Sequence, residues 1–70
     1  MTVSELIAKY NGRRQLLIEA LQDGKDLPDD ERLGMLDEIQ SLEDGVSILW
    51  GGGAAAEDLL KEESEKENML

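Results

Sequence analysis

Between Asp23 and Trp50 the chain sets nine carboxylates, Asp23, Asp26, Asp29, Asp30, Glu31, Asp37, Glu38, Glu43 and Asp44, against only Lys25 and Arg32. Carboxylates at that density can hold a hard cation, exchange protons or meet a positively charged partner. A calcium loop needs oxygen donors at its first, third and fifth positions and a closing Glu at the twelfth. Counted from Asp23, the last three of these places hold Lys25, Leu27 and Gly34, so the pattern fails and a turn followed by an acidic helix start accounts for the same residues. The neighbouring pairs Asp37-Glu38 and Glu43-Asp44 would suit acid/base work only inside a desolvated pocket that drives two pKa values apart. A pair of helices encloses no such pocket, which leaves a solvated helix face as the better reading. Gly51-Gly52-Gly53 resembles an anion cradle ahead of a helix, but the Gly-Lys-Ser/Thr ending is absent and Glu57 and Asp58 would repel a phosphate.

With neither Cys nor His in its 70 residues, the chain is excluded from thiolate zinc sites, disulfide scaffolds, catalytic thiols, catalytic triads and Glu-x-x-His di-iron centres. No cofactor, no metal and no enzymatic activity are expected. A formal charge of −10 repels phosphate backbones and anionic headgroups, so direct nucleic-acid or membrane binding is not expected either. No apolar run approaches the roughly 18 residues of a membrane span, and Met1–Tyr10 carries Glu5 and Lys9 where a secretory signal would be apolar. A cytoplasmic protein is the default expectation.

The elements that must position the carboxylates can be read from spacing. Thr2 followed by Glu5 matches a capping box, and Val3, Ile7, Tyr10, Leu17 and Leu21 continue at helical spacing, with Leu6, Leu16 and Ile18 widening the stripe. Asn11-Gly12 is a strong hairpin dipeptide, but its surroundings are good helix formers, so a helix over Thr2–Gln22 is predicted. Gly24 and Pro28 interrupt it, Gly24 as a left-handed C-cap and Pro28 at the next helix start. A second helix over Pro28–Trp50 follows from Met35, Ile39, Leu42, Val46 and Leu49, spaced four, three, four and three apart.

A turn centred near Lys25 and Asp26 makes the two helices antiparallel, with facing residue numbers summing to about 51. That register sets Leu17 against Gly34 and Leu6 against Gly45, and brings Arg13 and Arg14 beside Glu38 and Asp37. It also pairs residues 1–22, net +1, with residues 23–50, net −7. The predicted fold class is therefore all-α: residues 1–50 form an antiparallel helical hairpin, and residues 51–70 a glycine hinge and an acidic tail. The tail is expected to be weakly helical over Ala54–Leu60 and frayed beyond Leu60.

A chain this short buries only about 60% of its unfolded surface and gains from any partner. The leading expectation is a non-enzymatic protein-binding module, an inhibitor that mimics nucleic-acid charge and occupies a basic surface of a nucleic-acid-binding protein. Its candidate binding residues are Asp29, Asp30, Glu31, Asp37, Glu38, Glu43, Asp44 and Trp50. Trp50 either closes the hairpin over Val3 and Leu6 or serves as an exposed anchor, with closure somewhat favoured. The alternative is an assembly role, two hairpins pairing as a homodimeric four-helix bundle through the incompletely covered Leu16, Ile18, Leu36 and Trp50.

Overall fold

The computed structural model describes residues 1–24 and 26–68. They form three helices, α1 (Val3–Asp23), α2 (Asp29–Gly51) and α3 (Gly53–Asn68), with no strand among the described residues. α1 begins with both halves of the capping box: the Glu5 N–H donates to the Thr2 hydroxyl at 3.1 Å, and the Thr2 N–H donates to the Glu5 carboxylate at 3.3 Å. It runs unbroken through Asn11-Gly12, because the flanking Leu, Lys, Arg and Gln residues favour helix by more than one glycine costs. Gly24 closes it by donating to the Ala20 carbonyl at 2.8 Å. Its φ of −84° is not the left-handed cap the sequence suggests; a side chain is excluded there because a Cβ would collide with Leu27 and the Ala20 carbonyl. Lys25 in the turn, and Met69 and Leu70 at the chain end, lie outside the described residues.

α2 starts one residue after Pro28, with no side-chain cap but with Asp29, Asp30 and Glu31 in its first turn, where negative charge meets the positive end of the helix dipole. It ends where Gly52 and Gly53 adopt φ of 69° and 78°, a backbone that side-chain-bearing residues resist. That glycine turn sends α3 back onto the hairpin. Residues 53–68 are thus a packed helix instead of the frayed acidic tail read from composition. Ala56 is buried with Leu6 and Leu49, and Leu59 and Leu60 pack on the same cluster beside Val3, Ile7 and Tyr10.

The hairpin register differs from the expected one. Gly45 faces Tyr10, not Leu6: a Cβ on Gly45 would sit 2.8 Å from the Tyr10 ring, which places the contact about one helical turn further along α1. Gly34 has nothing within 4 Å of where its Cβ would be, so no notch for Leu17 forms there. Arg13 does reach Glu38, at 2.8 Å from Nε, but Arg14 bonds Glu43 at 2.9 Å and not Asp37. The Tyr10 ring accounts for the difference, since it lies so close to α2 that only a residue without a side chain, Gly45, fits opposite it. Of the stripe Met35, Ile39, Leu42, Val46 and Leu49, only Leu49 is fully buried, because only at that end does a third helix close over the pair.

Candidate interaction surface

α2 carries all eight candidate binding residues, and its packing sorts them into two sets. The helix turns Gly45 and Leu49 inward, with Met35, Ile39, Leu42 and Val46 half-buried beside them. Glu38 stands at the edge of that inward stripe, where Arg13 grips it with two bonds, from Nε at 2.8 Å and Nη2 at 3.5 Å. Glu43 stands at the other edge, bonded to Arg14. These two carboxylates therefore join the hairpin halves and are already largely neutralised.

The second set faces water. Asp29, Asp30, Glu31 and Asp37 are exposed and have no ion-pair partner among the described residues. Asp44, also exposed, accepts only a neutral bond from the Gln40 amide at 3.1 Å. Trp50 is 75% exposed and does not close the hairpin. Leu49, one residue earlier and turned inward, fills that role with Leu6 and Ala56. Once α3 covers the end of the hairpin, the indole is surplus to its closure and stays in solvent.

Two further residues belong to the same outward face, Leu33 at 62% and Leu36 at 52% exposure. Leu36, Glu43 and Trp50 recur at steps of seven, as do Leu33, Gln40 and Ser47, so the six lie along one side of the helix. Leu36 and Trp50 were foreseen as poorly covered edges; Leu33 was not, although its three-residue offset from Leu36 is visible in the sequence. α2's only basic residue, Arg32, turns its guanidinium back to the Gly24 carbonyl, with Nη2 donating at 3.1 Å. The outward face is left apolar and acidic.

A second cluster, missed by sequence reading, holds α3 in place. Glu63, only 13% exposed at its side chain, accepts from Tyr10 Oη at 3.3 Å, from Lys9 Nζ at 3.4 Å and from Lys66 Nζ at 3.4 Å. Lys9 also lies 3.8 Å from Glu67. Burial pushes the Glu63 pKa up, but the ammonium groups of Lys66 and Lys9 more than offset it and hold the carboxyl below its ordinary value. Burial, reinforced by the facing charge of Glu63, raises the Tyr10 phenol above its ordinary value. The face Ala56, Leu59, Leu60, Glu63, Glu67 has helical spacing, which is the signal that could have revealed this contact.

Among the described residues no pocket opens, and no three carboxylates converge as metal ligands would. No helix is long and apolar enough to cross a membrane. No protein-family model, curated protein or solved structure matches the chain. Its surface is what remains to indicate a function.

Proposed function

We propose that this protein is a small acidic binding module that occupies a basic surface on another protein. Such a module would act as an inhibitor by presenting carboxylates where a nucleic-acid-binding partner expects phosphates. The observation that supports this reading is the disposition of the basic residues. Lys9, Arg13, Arg14 and Lys66 are engaged in intramolecular ion pairs. Asp29, Asp30, Glu31, Asp37 and Asp44 on α2 and Glu57, Asp58, Glu62 and Glu65 on α3 stay exposed and make no ion pair among the described residues. The excess negative charge thus lies on the outside, where it steers association with a basic partner. A cytoplasmic setting is part of the proposal, since a chain without cysteine has nothing to lose in a reducing compartment.

The direct test is capture of proteins from the native host's lysate on the immobilised chain and on a variant with Asp29, Asp30, Asp37 and Asp44 changed to Asn. At an ionic strength of about 0.1 M, where the Debye length is about 10 Å, the native chain should retain basic proteins, and added nucleic acid should compete with it for them. High salt or the variant should release them. Capture indifferent to both salt and the four substitutions would sink the reading.

A homo-oligomeric bundle is the second reading, favoured by Leu16 and Leu33, each 62% exposed, near the turn that joins α1 to α2. Sedimentation equilibrium separates the two, because bundle formation would raise the mass with protein concentration in the absence of any other protein.

A further inference from the structure

Leu33, Leu36 and Trp50 lie on one helix side, the first and last 17 residue steps apart, about 25 Å at 1.5 Å per residue. The same side carries Asp29, Asp30, Asp37 and Asp44, all exposed, and the Arg14 guanidinium that reaches it from α1 is taken up by Glu43. We propose that this outward face of α2 docks an amphipathic helix of the partner, with apolar residues at heptad spacing flanked by Lys or Arg. The proposal rests on the acidic-module reading above and specifies the form of the partner's basic surface.

Three features select a helix with positive flanks. Leu33 and Leu36 at one end of this side and Trp50 about four turns further along it are exposed, and a second helix lying along α2 at a shallow crossing angle can meet both ends at once. The acidic residues beside the strip exclude anionic occupants: a phosphate backbone or an anionic bilayer would meet Asp37 and Asp44 with nothing to neutralise them. They also disfavour a second copy of this chain, since two such faces would bring Asp37 and Asp44 of each together while Arg14 is already bonded to Glu43. The apolar residues in turn distinguish this contact from charge attraction alone. A bare Trp with two bare Leu residues on a rigid helix is the composition of an interface anchor. The polar centre of the strip, Gln40, Glu43 and Ser47, suits a partner helix that is apolar at its ends and polar in the middle.

Trp50 is the only tryptophan, so its emission reports directly on coverage of the face. The full chain would be titrated with two synthetic peptides of identical Leu and Lys composition, one with Leu at heptad positions near its two ends and a polar middle and one scrambled, while peptide anisotropy and Trp50 emission are followed. The heptad peptide should bind about tenfold or more tightly than the scrambled one, and only it should move Trp50 emission to shorter wavelength. Leu36→Ala, an exposed substitution whose fold can be checked by circular dichroism, should weaken the heptad peptide about tenfold. Asp37→Asn/Asp44→Asn should weaken it at low salt and not at high salt. Equal binding of both peptides with no change at Trp50 would overturn the docking face and leave the acidic module standing. Binding of neither peptide would overturn both. A shift of Trp50 emission with protein concentration alone would give the face to a second copy and overturn the proposal as well.

Discussion

Where α1 begins, α2 finishes and α3 turns back, Leu6, Leu49 and Ala56 are buried together, with Val3, Ile7, Tyr10, Leu59 and Leu60 around them. Towards the turn that joins α1 to α2, Leu17 alone is buried, while Leu16, Leu33 and Leu36 stand largely in solvent. What differs between the two regions is the number of helices that meet. Two helices hide only the strip along which they touch. A third helix encloses a core, and the polar Tyr10–Glu63–Lys9 contacts hold it there. Packing energy is therefore concentrated at one end, and apolar residues at the other end and along α2 are left exposed.

The sharpest way to break this contrast is truncation of matched leucines. Leu6→Ala or Leu49→Ala should cost about 2–5 kcal/mol, enough to unfold a domain of ordinary marginal stability. Leu33→Ala or Leu36→Ala should change stability by about 0.5 kcal/mol or less. Urea melts of the four variants measure the difference; equal losses at both ends would remove the distinction.

Glycines probe the same contrast on a smaller scale. Gly45→Ala forces a methyl group against the Tyr10 ring, whose hydroxyl is bonded to Glu63, and should destabilise by about 1–3 kcal/mol. Gly12→Ala and Gly34→Ala meet open space and should each stabilise by about 0.5–1 kcal/mol through helix propensity. Thermal melts give the sign directly.

The contacts that hold α3 predict a pH signature. The Glu63 pKa is lowered in the fold, so its contribution is fully present above the ordinary carboxylate value and is lost as pH falls through the lowered one. Lys9 and Lys66 are 49% and 71% exposed at their side chains, so the gain is about 1 kcal/mol or less. Glu63→Gln should accordingly be less stable than the native chain at neutral pH and equal to it in acid. Tyr10 works at the alkaline end: its raised pKa means that stability is present below the ordinary phenol value and declines as pH rises through the raised one. A Glu63→Gln difference that persists unchanged into acid would show that the carboxylate charge plays no part.

Much of the hairpin was legible because its signals are local. Thr2 and Glu5 cap one another across three residues, Gly24 and Pro28 interrupt the helices, and the three glycines must end α2. What local signals cannot supply is the choice among partners. The four-and-three spacing of α2 defines an inward face but leaves the register open by a turn, and the fit of the Tyr10 ring over Gly45 decides it. α3 read as a tail because Lys61–Asn68 has nothing apolar to bury. Its anchoring comes from Ala56, Leu59 and Leu60 before that run and from Glu63 and Glu67 meeting Lys9 across 50 or more residues. Of the carboxylates expected to bind a partner, Glu38 and Glu43 are held by Arg13 and Arg14, and the exposed side of α2 also carries Leu33, which sequence reading did not single out.

The central claim is that Trp50 lies bare on an acidic face that no second copy covers. Acrylamide quenching of its fluorescence is the most direct test, because a neutral quencher is not repelled by a chain of charge −10 as iodide would be. Quenching close to that of free tryptophan, unchanged from micromolar to near-millimolar protein, is the predicted result. A protected indole at every concentration would contradict the exposed placement, and protection that grows with concentration would contradict the claim that the face awaits a different partner.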